Sequence, residues 1–240
     1  MEYTGVDGCR GGWCVVTLPE DGPATLCIEP DFRSVWQNHH ESATIFVDMP
    51  IGLLDGAEDR NPGRVCDLLA RQLLGKGATS RVFSAPCRQA VYAKSKAEAK
   101  RLNVARMGRS LSEQTLMIAP KIRQVDELLL TNSEARAKVF EVHPEIVFYF
   151  LAGGRTQPAK RSREGEKARV GILKRFEPRT VHILNQAAML RKQYVAKDDV
   201  LDALACAVAA LKARGRFETI PNDVPLDSKG LPMQMVYWKP

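Results

Sequence analysis

The segment YTGVDGCRGGWCVVTL, residues 3–18, predicts a β-hairpin. Residues 3–8 and 13–18 are rich in apolar and β-branched side chains, and the glycines between them permit a tight turn. Asp7 stands near the end of the first predicted strand. Its carboxylate is therefore expected at the mouth of a sheet and not in the middle of its core.

Three more strands are predicted downstream of this hairpin. Residues 24–29 follow an Asp-Gly turn and extend the antiparallel arrangement. A helix over residues 31–40 leads to a fourth strand at 43–47, and a fifth is predicted at 138–143. The alternation of strands and helices favours an α/β fold.

The long stretch between the fourth and fifth strands is predicted to be mostly helical. It is too long for one crossover, which indicates an inserted helical subdomain at about residues 51–136. Further helices are predicted at 166–176, 181–194 and 199–214. We expect one ribonuclease-H-like domain over residues 1–240: a mixed five-stranded sheet flanked by helices, with the helical insertion between strands 4 and 5.

The net charge of +7 is concentrated in two segments. Residues 88–109 carry seven basic and one acidic side chain, and residues 155–179 carry nine and three, so each has a charge of +6. The rest of the chain is then about −5. Such local basicity favours an anionic partner such as nucleic acid. Solvated helix faces are the alternative explanation.

Several features indicate where the protein works. The six cysteines are scattered without a Cys-x-x-Cys pair, which favours reduced thiols and a cytoplasmic location. The N-terminus begins directly with a strand pattern and lacks a signal-peptide pattern. The apolar runs are far shorter than a membrane span, so no membrane association is expected. The oligomeric state is left open.

Four aspartates form the expected acidic centre. Asp7 and Asp48 each follow a predicted strand, the first and the fourth, and these strands are expected to be neighbours. Asp199 and Asp202 are three residues apart and share a helix face. Because Mg²⁺ and Mn²⁺ prefer oxygen ligands, we expect these four carboxylates to bind one or two such ions.

Each acid also has a structural explanation. Asp198 is expected to cap the last helix, and Asp199 is a second candidate for that role. Asp202 lies in the first turn, where the helix dipole favours an acid. Asp7 and Asp48 are both candidates for simple turn residues.

Other residues are expected to complete the site. Glu141 lies on the fifth predicted strand between Phe140 and Val142, where a carboxylate is costly unless it is paired or bound to metal, so we predict a catalytic role. His143 is predicted to be a hydrogen-bonded structural histidine, with proton transfer or ligation as the alternative. The predicted substrate contacts come from basic side chains, namely Arg10, Lys160, Arg161 and Arg163.

The motifs taken together resemble the domain-of-unknown-function family 429 (DUF429). They occur in order at residues 5–13 (GVDGCRGGW), 47–53 (VDMPIGL), 141–145 (EVHPE) and 198–205 (DDVLDALA), with shorter matches at 66–71, 82–86 and 121–126. That family is described as predicted ribonuclease-H-like nucleases, so the resemblance implies the fold and a nuclease activity. The final acidic helix also resembles that of bacterial Holliday-junction resolvases, except that Asp48 stands where those enzymes usually carry a glutamate.

The sequence therefore predicts a metal-dependent nuclease acting on DNA or RNA. One alternative is a non-catalytic module that binds nucleic acid or another protein. A sugar-kinase-like or actin-like ATPase is a second alternative, because that superfamily also begins with a strand, an aspartate and a glycine-rich hairpin. It would require two related halves and a second phosphate-binding glycine turn, and 240 residues are short for such an arrangement.

Overall fold

A five-stranded mixed sheet contains the predicted N-terminal hairpin. The computed structural model describes residues 1–56, 63–75, 81–191 and 193–240. The strands of the sheet are β1 (Glu2–Cys9), β2 (Gly12–Pro19), β3 (Thr25–Glu29), β4 (Thr44–Val47) and β5 (Val139–Glu141). Their order is β3-β2-β1-β4-β5, in which β1–β2 and β2–β3 are antiparallel and β1–β4 and β4–β5 are parallel. The predicted α/β class and mixed sheet are confirmed, and the strand order is consistent with a ribonuclease-H-like fold.

The tight turn between β1 and β2 depends on Gly12. Cys9 pairs with Gly12 across the hairpin, and Gly12 has a φ of +133°. A Cβ at this position would lie 2.0 Å from the carbonyl oxygen of Glu29. Glycine is thus required both by the backbone conformation and by the close approach of β3. The next residue, Trp13, is fully buried against the ring of Phe32.

Helices flank the sheet and make up much of the rest of the described chain. In chain order they are α1 (Phe32–His39), α2 (Val65–Leu74), α3 (Arg88–Val91), α4 (Lys96–Met107), α5 (Glu113–Thr131), α6 (Ser133–Lys138), α7 (Pro144–Leu151), α8 (Arg163–Phe176), α9 (Thr180–Met189) and α10 (Lys197–Ala213). None of them, within the described ranges, has the length and hydrophobicity to span a membrane.

The core of the sheet unit is built around α10. Each residue of this helix from Val200 to Leu211 is buried. A Cβ on Gly5 of β1 would lie 2.1 Å from the carbonyl oxygen of Ala203 and 2.1 Å from the amide nitrogen of Ala207. The helix backbone therefore rests directly on the strand, which only a glycine and small helix residues allow. This close approach fixes the position of α10 along β1.

The chain divides into two compact units. The first contains residues 1–49, 134–218 and 236–240, and includes the sheet. The second contains residues 50–133 and 219–235. The bounds predicted for the insertion, 51–136, nearly coincide with those of the first segment of this second unit, 50–133. The prediction did not assign residues 219–235 to the insertion.

Buried charge and a small apolar cluster characterise the second unit. Arg88 donates to both Asp126 (2.8 Å) and Asp227 (2.7 Å), and all three side chains are buried. The apolar cluster consists of residues from α3, α4 and α5 and the segments around them, namely Cys87, Ala90, Ala99, Met107, Leu111 and Leu116.

Some predicted boundaries differ from those observed. Helix α8 begins at Arg163 and not at 166, because the hydroxyl of Ser162 accepts a hydrogen bond from Gly165 N and caps the helix there. Helix α9 ends at Met189 and not at 194, and β5 is three residues long. Two strands that were not predicted, β6 (Glu218–Ile220) and β7 (Met235–Tyr237), pair with each other.

Candidate metal centre

Asp7 is a buried carboxylate at the carboxyl end of β1. Gly5 and Asp7 are two residues apart on a strand, so they share the face of the sheet that α10 covers. Only 8% of Asp7 is exposed to solvent, although it lies near the end of the strand. The position of Asp7 thus follows from the strand period and from the contact between Gly5 and the helix.

Asp48 lies beside Asp7 because β4 runs parallel to β1. Val6 pairs with Val47, and the amide nitrogen of Asp48 donates to Val6 O at 2.9 Å. The ladder therefore continues one residue past the end of β4. Since both strands end at the same edge of the sheet, their two aspartates come together, as the sequence predicted.

Asp202 completes a group of three carboxylates. It lies one residue before Ala203, whose carbonyl faces Gly5, and only 2% of it is exposed. One oxygen from each of Asp7, Asp48 and Asp202 lies within 4.8 Å of the others. The predicted convergence of Asp7 and Asp48 with at least one aspartate of α10 is thus observed, and the group is referred to below as the aspartate cluster.

Lys160 supplies the positive charge at this cluster. Its Nζ donates to Asp202 Oδ2 at 2.8 Å and lies 3.8 Å from Asp198 Oδ2. The other Asp202 oxygen, Oδ1, is buried and has no hydrogen-bond partner among the described residues. A buried carboxylate oxygen without a donor is costly. Asp202 therefore brings a buried, unsatisfied acceptor to the group of three, which a cation or a proton would satisfy.

Burial makes these carboxylates hold protons unusually well. Burial raises the pKa of Asp7 well above its ordinary value, and the charges of Asp48 and Asp202 raise it further. Burial also raises the pKa of Asp48 to about 7 and that of Asp202 to about 6, although the Lys160 ammonium opposes both shifts. Without a further cation, the cluster is thus partly protonated near neutral pH.

The acids in turn raise the pKa of Lys160. Burial acts to lower its pKa, but the attraction of Asp202 outweighs burial and holds the pKa above its ordinary value. Lys160 therefore stays charged throughout the physiological range. The sequence-based prediction made Lys160 a substrate contact, whereas the structure places its ammonium against the acids.

Two buried thiols lie close to the cluster but do not belong to its group of ligand atoms. Cys14 pairs with Asp7 across the hairpin, and Cys206 is one helical turn after Asp202. Burial raises the pKa of both thiols well above the ordinary value, and the carboxylates add to this effect. The group of three ligand atoms includes neither thiol, so the donors available here are carboxylate oxygens. This set suits a hard cation such as Mg²⁺ or Mn²⁺.

Asp199 has a structural role that the sequence assigned first to Asp198. The N-cap of α10 is Ala196, which has no side-chain acceptor, and Asp199 Oδ2 accepts from Ala196 N at 2.9 Å. Asp198 instead lies 3.7 Å from Arg161 Nε, measured from its Oδ2. Asp199 lies outside the group of three, but its charge contributes to the raised pKa of Asp7.

Glu141 is buried on β5 opposite Val47 and is not a member of the aspartate cluster. The acid on this side is Glu145, in the first turn of α7, whose charge raises the pKa of both Asp48 and Asp202. Its carboxylate is paired with Arg169, a fully buried side chain of α8. Neither residue of this pair was predicted as part of the site, although Glu145 lies in the EVHPE motif.

His143 serves as the N-cap of α7. Its Nδ1 accepts a hydrogen bond from Glu145 N at 3.2 Å. This contact agrees with the structural role predicted from the sequence, and it positions the helix turn that carries Glu145.

The basic residues predicted as substrate contacts differ in their surroundings. Arg10, Arg161 and Arg163 are exposed. Other basic side chains of the two charged segments form ion pairs with acids of the same chain, which the charge count did not anticipate. Those with internal partners include Arg88 with Asp126 and Asp227, Lys96 and Lys100 with Glu113, Arg169 with Glu145, and Arg179 with Glu177.

The comparisons with known proteins identify the family. The profile of the family described as "Protein of unknown function (DUF429)" matches residues 5–226. The chain therefore belongs to the DUF429 family, as its motifs indicated. No curated protein and no solved structure matched the chain.

Proposed function

We propose that this protein is a nuclease that hydrolyses phosphodiester bonds of DNA or RNA with the help of Mg²⁺ or Mn²⁺. The observation that carries the proposal is the aspartate cluster, where three carboxylates from β1, the end of β4 and α10 meet. One buried oxygen of Asp202 receives no hydrogen bond from any residue that the structure describes. Buried carboxylates at such close range repel one another and are stable together only with protons or a cation between them.

Asp7, Asp48 and Asp202 would hold the metal, and Asp199 would add negative charge from its position in the same helix turn. The metal would neutralise charge on the phosphate and make a water molecule a stronger nucleophile. The protein's own contribution is to fix the three carboxylates on rigid elements. The contact of α10 with Gly5 does this for Asp202, and the β1–β4 ladder does it for Asp7 and Asp48.

Lys160 and the arginines that follow it suit a phosphate-containing substrate. Lys160 has a flexible four-carbon side chain that is 40% exposed, so its ammonium can turn from Asp202 to a phosphate oxygen once another cation neutralises the carboxylate. Arg161 and Arg163 follow it and are exposed to solvent. Together they provide positive charge next to the acids, as a polyanion requires.

The activity test uses four fluorescent substrates: single-stranded and double-stranded DNA and RNA. At pH 8 with Mn²⁺ or Mg²⁺ we expect cleavage of at least one, and EDTA should abolish it. Asp7→Asn should reduce turnover about a hundredfold or more, because a catalytic metal contributes several kcal/mol and each 1.36 kcal/mol is tenfold. The control Asp31→Asn changes the half-buried N-cap of α1, outside the aspartate cluster, and should leave turnover unaltered. Equal turnover in Asp7→Asn and the wild type would refute the assignment.

Salt dependence tests the substrate class separately. Replacing Arg161 and Arg163 with Ala should reduce the slope of log affinity against log salt by about 1.4 to 1.8 units, because each phosphate contact contributes about 0.7 to 0.9. The control replaces Lys212 and Arg216, which are exposed at the opposite end of α10, and should not change the slope. A slope unchanged by the Arg161 and Arg163 substitutions would exclude these residues from the binding surface.

A further inference from the structure

A second group of possible metal ligands lies on β3 and α1. Cys27 and Glu29 are two residues apart on β3 and so share a face of that strand. His39 is the last residue of α1. One ligand atom from each of the three lies within 4.8 Å of the other two, and all three residues are half-buried.

The distances between these atoms match those between ligands of one tetrahedral ion. Cys27 Sγ lies 3.6 Å from Glu29 Oε1 and 3.6 Å from His39 Nε2, and the last two atoms are 3.6 Å apart. In a tetrahedral zinc site, the usual bond lengths place sulfur about 3.6 Å from a nitrogen or oxygen ligand, and nitrogen about 3.4 Å from oxygen. The three side chains thus already form one face of such a tetrahedron.

The imidazole of His39 is also oriented as a metal ligand would be. Its Nδ1 lies 3.3 Å from Thr17 Oγ1, which leaves Nε2 directed at Cys27 and Glu29. A hydrogen bond on the second ring nitrogen is the usual support of a metal-binding histidine, because it fixes the ring and its tautomer. Asn38 Nδ2 donates a 3.0 Å hydrogen bond to Glu29 Oε1 and so helps to hold this carboxylate beside Cys27 and His39.

This group is separate from the aspartate cluster. Thr17 contacts the hydroxyl of Thr4 on β1, whereas the next residue, Gly5, faces α10. Adjacent residues of a strand point to opposite faces. The group around His39 is therefore on the face of the sheet opposite to Asp7.

We infer that Cys27, Glu29 and His39 form a binding site for Zn²⁺, with the fourth position open to water or a small ligand. One sulfur, one nitrogen and one oxygen donor suit this borderline-soft ion better than Mg²⁺. Binding would replace the thiol proton of Cys27 with the metal and join the edge strand β3 to the end of α1.

Cobalt titration of the reduced, EDTA-treated full chain tests the site. Co²⁺ bound to a thiolate gives a charge-transfer band in the near ultraviolet, which a carboxylate site does not give. We expect a saturable band whose final intensity corresponds to one thiolate-bound Co²⁺ per chain and which disappears when Zn²⁺ is added. Asp7→Asn should keep this band, so the result is independent of the proposed nuclease function.

Variants assign the ligands. Cys27→Ser should abolish the band, whereas the control Cys87→Ala, which removes a buried thiol of the second unit, should retain it. Thr17→Val keeps all three ligands and should weaken Co²⁺ binding about 10- to 100-fold through loss of the support for His39. Absence of the band in the wild type, or its persistence in Cys27→Ser, would overturn the inference.

Discussion

Asp48→Asn is expected to stabilise the metal-free protein and to weaken its metal binding. Asp48 has a folded-state pKa of about 7 against an ordinary value of 3.8. A pKa raised by folding means that the stability contribution is complete below pH 3.8 and is lost as the pH rises through 7. Each pKa unit corresponds to 1.36 kcal/mol. Ionised Asp48 therefore costs about 2 to 4 kcal/mol at pH 8, allowing for its partial contact with solvent, and asparagine removes that cost.

The stability gained by Asp48→Asn should increase with pH. At pH 4 the Asp48 carboxyl is neutral in the folded protein, so Asp48→Asn should change the free energy of unfolding little. The difference from the wild type should grow between pH 4 and pH 8. Removal of this charge also relieves Asp7 and Asp202, which adds to the gain at high pH.

Urea denaturation in EDTA, followed by tryptophan fluorescence, measures the effect. The fluorescence reports on the unit that contains Asp48, because this unit holds all three tryptophans of the chain, Trp13, Trp36 and Trp238. Asp31→Asn is the matched control, since it removes the same charge from a helix cap whose pKa is lowered and not raised. The control should show no gain that increases with pH.

A second series with Mn²⁺ at pH 8 should reduce the stability advantage of Asp48→Asn over the wild type. A ligand at 100 times its Kd stabilises the folded protein by about 2.7 kcal/mol. Mn²⁺ should therefore raise the free energy of unfolding of the wild type and leave that of Asp48→Asn nearly unchanged. The reasoning fails if the variant is less stable than the wild type at pH 8 in EDTA. It fails equally if Mn²⁺ stabilises both proteins by the same amount.

Three further substitutions probe the supports of the site, each measured by urea denaturation. Gly5→Ala should lower the free energy of unfolding by about 2 kcal/mol or more, because its Cβ meets the backbone of α10. The control Gly171→Ala, which has open space in α8, should be neutral or stabilising by up to about 1 kcal/mol. Equal effects of the two substitutions would contradict the close contact. Lys160→Met should lower the free energy of unfolding by about 1 to 3 kcal/mol at pH 8 in EDTA, less than for a fully buried pair because Lys160 is 40% exposed. Mn²⁺ should restore the lost stability. A loss that persists with Mn²⁺ argues against a shared cation position. Arg169→Met should lower the free energy of unfolding by about 3 to 5 kcal/mol because it leaves Glu145 without the guanidinium of Arg169. The second substitution Glu145→Gln should recover most of this stability. No recovery in the double variant would indicate a packing effect.

The positions of Asp7 and Asp48 were predictable because local rules determine them. Strand alternation, the hairpin turn and the parallel pairing of two buried strands are encoded in short segments. Once β1 and β4 are neighbours, residues that follow them must meet at one edge of the sheet. The sequence predicted that the first and fourth strands are neighbours. It also placed Asp202 on the last helix, on the same helix face as Asp199.

The partners of the buried charges were not predictable from such rules. Glu145 and Arg169 are 24 residues apart and meet only because α7 and α8 pack together. Lys160 resembles the other lysines of its segment until the fold brings it to Asp202. Charge counts treat every basic side chain as solvated, whereas pairing in the interior depends on tertiary packing. The return of residues 219–235 to the second unit has the same cause.

The ion-pair partners of buried carboxylates elsewhere in the described chain differ from those at the aspartate cluster. This difference is the strongest reason to expect a cation at the cluster. Five other buried acids of the described residues are paired with arginine, whose planar group matches a carboxylate and holds it in place. Such pairs are Asp67 with Arg64, Asp126 and Asp227 with Arg88, Glu145 with Arg169, and Glu177 with Arg179. At the cluster, by contrast, Asp7, Asp48 and Asp202 lie together beside one flexible lysine, and a buried oxygen of Asp202 has no donor. A fixed arginine would neutralise these acids permanently, whereas a lysine can yield its position to an incoming metal.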